Sequence, residues 1–457
     1  AWHCRMERAP LSPCRSRMAR KRKGNRVGSK ASAGGSNGSA NANDGHRHQE
    51  QPQGPEKQQA SAVKQALEQR NRQALEELAY SDHGFCSTEL RREVWLFLLG
   101  LTPSETTDSS WRRLLKGLEE EDSNQARVIQ ADVMRSVYSW DVHTGLGQKT
   151  RDLKRLQLSE VMHAILRRHS GRLGYFQGFH DIVLVFLEVG TPSQAYHMVE
   201  RLALFHLSDQ LCCPFDKGLL PLLGVLFHLV SMLDAPLAAA LAEAECTEMH
   251  FAVPWVLTWF AHSLPRLHHQ VMRLFDCLLC SHPAAILYFC AALLIQHRDV
   301  LLEAPREMPD MVGTIQSLPF KTVDVDEWAR SVRELMQRVP PRQLLSRLDS
   351  QRRRSLPVTS PLLHYPHPWM RPEVPIADGD WSKLAPVYLP NGGVNRKGFL
   401  RRLAALPSIL GQGGTRLVSR ALGLGAGGGL LAAALALLLR AWGMNDVALS
   451  LRSWAKR

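Results

Sequence analysis

The sequence predicts an all-α protein, a large helical domain followed by a single transmembrane helix near the C-terminal end. Three observations carry this prediction. From Ser61 to Ser350 apolar residues recur at three- and four-residue steps, segment after segment, while strand-like alternation is scarce. Pro192, Pro214, Pro236, Pro265 and Pro283 fall between those segments, where helices are expected to stop. Residues 421–439, "ALGLGAGGGLLAAALALLL", carry no charge and are bracketed by Arg420 and Arg440.

Taken in order, residues 1–60 are expected to be disordered. The first thirty hold ten Lys/Arg against the single acid Glu7, and residues 31–57 are rich in Gly, Ser, Asn and Gln, which cannot bury a core. The helical domain spans 61–350. Within it "LRREVWLFLLG" closes a helix on Gly100, a residue that tolerates the left-handed dihedrals of a C-terminal cap. Later helices are predicted at 155–169, 177–190, 194–207, 219–233, 253–263, 267–280, 284–295 and 326–337. Residues 351–420, rich in Pro, Arg and Gly, read as a flexible linker.

The run 421–439 would rise about 28 Å as a helix, close to the roughly 30 Å of bilayer hydrocarbon. Its glycines are at home in membrane helices. Only residues 441–457 follow Arg440, so the expected geometry is a C-terminal tail anchor with 440–457 as a short lumenal tail. The first thirty residues contain no apolar signal-peptide core, and basic residues such as Arg401, Arg402 and Arg416 precede the span. Both features place the long N-terminal part on the cytosolic side.

The formal charge of +13 would suggest a nucleic-acid partner if it were spread along the chain; +9 of it sits in the first thirty residues. No nucleic acid is therefore expected as partner, and deleting residues 1–60 is the test between that reading and those below. Nine cysteines, an odd number set mostly inside apolar runs, fit reduced buried thiols. Cys277-x-x-Cys280 lacks a second ligand pair at zinc spacing, so no metal site is expected. "TGLGQKT" (144–150) superficially resembles a phosphate-binding loop, but Gln148 stands where a glycine should precede the lysine and no apolar strand leads into it. It is expected to be an interhelical loop.

Three stretches then stand in order: "RREVWLFLLG" (91–100), "IQADVMR" (129–135) and "YFQGF" (175–179). They resemble the TBC domain of Rab GTPase-activating proteins, whose motifs are RxxVWxxLLG, IxxDxxR and YxQGM. The first two match at every defined position, and the third departs in having Phe179 for the methionine. "FAVPWVLTWFAH" (251–262) and "RLFDCLLCSHP" (273–283) are similar to later helices of that family, so the resemblance covers roughly residues 61–340.

The resemblance implies a GTPase activator that supplies catalytic residues in trans to a Rab-family small GTPase and has no cofactor of its own, because the partner binds GTP and Mg²⁺. It implies Arg135 and Gln177 as the catalytic pair, Asp132, Tyr175 and Gly178 as their support, and Arg91 and Trp95 as structural motif residues, with Trp95 packed in the core. The chemistry suits these residue types. A supplied arginine is worth about 10³ to 10⁵ in the rate of GTP hydrolysis. A glutamine amide can both accept from an attacking water and donate. Taken alone, Asp132 and Arg135 would be an ordinary solvated pair three residues apart, and Gln177-Gly178 an ordinary helix boundary. The ordered motif set overrides this for Arg135 and Gln177.

It does not do so for His180 and Asp181. Adjacent helical residues point about 100° apart, so they read as structural, with Asp181 on the face of Gln177 and with Phe176, Phe179, Val183 and Phe186 forming the buried stripe. The expected protein is thus a tail-anchored activator in the endoplasmic reticulum membrane, its helical domain facing the cytosol. It would act on a Rab of the early secretory pathway and have no small-molecule substrate of its own. The alternative is a non-catalytic, membrane-anchored Rab-binding scaffold.

Overall fold

Side-chain caps mark where several of the helices begin, and one largely buried helix lies among them. The computed structural model describes residues 54–118, 123–136, 147–264, 268–319 and 324–370, and no strand occurs among them. The basic tail to residue 53, residues 371–420, the apolar run 421–439 and residues 440–457 lie outside the described residues.

Helix α1 (Gly54–Glu68) begins ahead of the boundary expected at residue 61. Its Gln59 amide donates to the Leu78 carbonyl and the Ser81 hydroxyl at 3.1 and 2.7 Å, tying it to α2 (Arg72–Tyr80). Asn71 and Ser87 cap α2 and α3 (Thr88–Leu98) by accepting from Ala74 N and Leu90 N. Gly100, at φ +65°, follows the end of α3 as expected. Helix α4 (Asn124–Arg135) is capped by Ser123 and buries Ile129, Asp132 and Val133.

Helix α5 (Gln148–Arg168) starts before the predicted residue 155, so Gln148–Thr150 are its first turn and not loop. Helix α6 (Phe179–Val189) starts after the predicted residue 177, because Gly178 at φ +111° breaks the helical path. Gln177 therefore precedes the helix and does not share a face with Asp181. The buried stripe stands: Phe179, Val183 and Phe186 have no solvent access, with Phe176 half-buried.

Next come α7 (Pro192–Phe205), whose Thr191 and Gln194 form a reciprocal cap, α8 (Phe215–Leu233), α9 (Val253–Thr258) and α10 (His268–Cys280). Of these, α8, α9 and α10 pack against α11 (Ala285–Gln296), in which every residue from Ala285 to Leu294 is buried, as a helix apolar on all sides requires. Helix α12 (Val325–Arg338) lays Val325, Trp328, Ala329, Val332 and Leu335 inward, and Trp328 donates its indole N–H to the Phe289 carbonyl at 3.1 Å. By length and composition α8 could cross a membrane, but Leu223, Leu226, Leu229 and Val230 are buried in the domain.

The predicted linker needs correction over its first twenty residues. Helix α13 (Ser350–Ser355) leads into a strap to Met370 that packs on the domain, burying Leu356, Leu362 and Trp369. The Trp369 ring covers Gly100, where a Cβ would sit 2.5 Å from it, and its indole donates to the Leu98 carbonyl at 2.8 Å. Ser360 donates to Asp209 at 2.5 Å. The proline-rich composition lacks a helical period and so reads as linker, yet single aromatic and polar anchors hold it.

Candidate functional site

The last turn of α4 meets the turn before α6. Asp132 lies on the inward face of α4 with no solvent access. One carboxylate oxygen accepts from the Arg135 guanidinium, three residues on, and the other accepts from the Tyr175 hydroxyl at 2.5 Å. A second tie runs from the Tyr175 backbone N–H to the Gln125 side-chain oxygen at 3.0 Å, in the first turn of α4. Burial, together with Asp132 beside it, pushes the Tyr175 hydroxyl well above its ordinary pKa, so it stays protonated and donating.

The α4 helix and the 174–178 turn are thus clamped through one carboxylate. Arg135 keeps 57% of its side chain exposed beyond that contact. Gln177 is exposed in the same turn as Tyr175 and makes no hydrogen bond among the described residues. Gly178 closes the turn: a Cβ there would lie 2.8 Å from the Thr258 methyl at the end of α9. With its positive φ, this close approach requires glycine.

The geometry corrects the reading of His180 and Asp181 as side chains that diverge. His180 Nε2 lies 3.3 Å from Asp181 Oδ1, and its Nδ1 lies 3.2 Å from the Tyr175 hydroxyl and 3.5 Å from Asp132. Burial lowers the His180 pKa, leaving the ring neutral at neutral pH. Asp181 in turn accepts from His262 Nδ1 at 3.1 Å. His262 and Gln125 are site residues that sequence reasoning missed, and Asp181, read there as structural, joins the site through His262.

Arg91 and Trp95 lie outside this site. Both donate to the inaccessible carboxylate of Asp276 on α10, at 2.9 Å each, and Phe85 N adds a third bond at 3.2 Å. Trp95 has no solvent access and packs edge-on against Phe186, 5.3 Å between ring centres, so this network braces α6 from behind. Cys277 and Cys280 are buried, and among the described residues no His, Cys, Asp and Glu group has metal-ligand geometry.

Residues 88–302, which hold this site, match the family model of the Rab-GTPase-TBC domain, so the chain carries a TBC Rab-GAP domain over that stretch. TBC1 domain family member 20 of Homo sapiens is 29% identical over 254 residues, which are 55% of this chain and 60% of that protein. The GTPase-activating protein gyp10 of Schizosaccharomyces pombe is 29% identical over 247 residues, 54% of this chain and 63% of that one. The match thus spans about three fifths of the length of these curated relatives. Among solved structures, the Ypt/Rab-GAP domain of Gyp1p has the same fold, with a TM-score of 0.50 and 18% identity over 62% of this chain and 98% of that one.

Proposed function

We propose that the protein is a GTPase-activating protein for a Rab-family small GTPase of the early secretory pathway. In this reading Arg135 places positive charge against the phosphates in the transition state, and Gln177 orients the attacking water in place of the partner's own glutamine. The observation that carries it is the Asp132 clamp. A single buried carboxylate orders both the helix bearing Arg135 and the turn bearing Gln177, while both of those side chains stay exposed. GTP and Mg²⁺ come with the partner, so the chain needs neither a perturbed nucleophile nor a phosphate-binding loop. The run 421–439 would anchor the domain in the endoplasmic reticulum membrane, facing the cytosol.

Phosphate release by the full chain against a panel of GTP-loaded Rab GTPases tests the activity. Arg135→Ala is expected to lower stimulation about 10³-fold or more, and Gln177→Ala by orders of magnitude, with unchanged circular dichroism. Wild-type stimulation by either variant refutes the two-residue mechanism. Binding of a GTP-loaded Rab by a wild-type chain that accelerates no hydrolysis would favour the scaffold instead. Deleting 421–439 should release the protein from membranes, and retention there would refute the anchor.

A further inference from the structure

A turn beside the site is held in a conformation that the two-residue mechanism leaves unexplained. Helix α9 stops at Thr258 because Trp259 and Phe260 both adopt left-handed dihedrals, φ 50° and 61°. Bulky side chains rarely take that conformation, and surrounding structure has to impose it. Here buried aromatic packing does so, with Trp259 5.4 Å from the Phe275 ring and Phe260 4.8 Å from the Trp328 ring. The result returns the chain toward Thr258, whose hydroxyl accepts from the His262 backbone N–H at 3.3 Å, and sets the His262 ring against Asp181.

From His262 a series of close polar contacts leads into the clamp through Asp181, His180, Tyr175 and Asp132, each step between 2.5 and 3.3 Å, and a neutral His180 donates its one N–H to either Asp181 or Tyr175. Its charges do not balance without His262. With His180 neutral, among the described residues two carboxylates, Asp132 and Asp181, face one permanent cation, Arg135. An arginine that turns toward a phosphate removes that cation from Asp132, a carboxylate with no water to replace it.

We infer that His262 is a positioning residue of this site: its imidazolium holds Asp181, and through His180 and Tyr175 it keeps the Gln177 turn in place while Arg135 engages the partner. This rests on the arginine-and-glutamine reading above. The ionisable groups facing His262 are Asp181 and His180 from α6 and Arg135 from α4. The Asp181 hydrogen bond raises the His262 pKa above its ordinary value and Arg135 opposes it. The imidazolium is therefore present at lower pH and lost as pH rises through that raised pKa, and the opposition weakens when Arg135 swings away.

Two measurements on the full chain test this. The first is kcat and KM of stimulated hydrolysis from about pH 5.5 to 8.5, spanning the ordinary histidine pKa of ~6.5, divided by the GTPase's unstimulated rate at each pH. Wild-type kcat should fall across the His262 titration with little change in KM. His262→Gln should remove that step and lie about tenfold below wild type at the acidic end, the loss of one charge-assisted contact. A His262→Gln variant that keeps the wild-type pH profile overturns the inference. The second measurement needs no GTPase: the Gln177 side-chain amide resonance should follow the His262 titration in the wild type and ignore it in Asp181→Asn. If the resonance ignores pH in the wild type, the inference falls. If it follows His262 in a chain that stimulates no GTPase, the coupling stands and the proposed activity falls.

Discussion

Removing one oxygen atom from the clamp tests whether Asp132 orders the site. Tyr175→Phe keeps a half-buried ring and deletes the hydroxyl that donates to Asp132 at 2.5 Å. Asp132 has no solvent access, so water cannot replace the donor, and a hydrogen bond to a charged group is worth about 1.5–3 kcal/mol. For a domain of this size each 1 kcal/mol shifts Tm by roughly 2–4 °C, so a fall of about 3–12 °C in the circular-dichroism melt is expected. If the same energy orders Arg135 and the Gln177 turn in the transition state, stimulated kcat should fall about 10- to 150-fold. Tyr288→Phe is the control: its hydroxyl donates to the Val339 carbonyl at 2.6 Å in the core, so it should lower Tm and leave kcat alone. A Tyr175→Phe protein with wild-type Tm and kcat refutes the clamp.

The strap predicts that Trp369→Ala, which uncovers Gly100 and leaves the Leu98 carbonyl without its 2.8 Å donor, costs about 3–5 kcal/mol, and that ending the chain at residue 350 lowers Tm at least as much in the same melt. Gly178→Ala should destabilise by about 1–2 kcal/mol from its positive φ alone, with a further loss from the 2.8 Å approach to the Thr258 methyl. Adding Thr258→Ser, which removes that methyl, should restore only the second part in urea unfolding. Complete burial raises the Asp209 pKa to about 7 from an ordinary 3.8. Between those values the unfolded chain loses a proton that the folded chain keeps, so stability falls as pH rises from about 4 to 7, by at most ~4 kcal/mol. Urea titrations at several pH values should show Asp209→Asn without this decline, and equal slopes in the two proteins would refute the raised pKa.

What the sequence made legible is short in range. Asp132 and Arg135 lie one helical turn apart, so their pairing follows from helix geometry, and the apolar period located most helices. The boundary errors arise where one residue's dihedral decides. Gly178 was visible as a glycine, but neither its φ of +111°, which puts the helix start past Gln177, nor its close approach to Thr258, eighty residues away, leaves a local trace. Arg91 and Trp95 were legible as motif residues without a reason, because their shared partner Asp276 lies 185 and 181 residues away and its spacing leaves no periodic trace.

The strap and His262 share a cause for having been missed. Composition reports what a segment cannot do alone, and residues 351–370 cannot form a core alone. Whether they pack depends on surfaces built elsewhere, such as bare Gly100 at the end of α3 and the buried carboxylate of Asp209. His262 likewise gains its place only after Trp259 and Phe260 are forced left-handed by the rings around them. Both cases put the decisive information in long-range packing that imposes a locally unfavoured state. The short motifs name the exposed residues at the site, and this packing determines how firmly those residues are held.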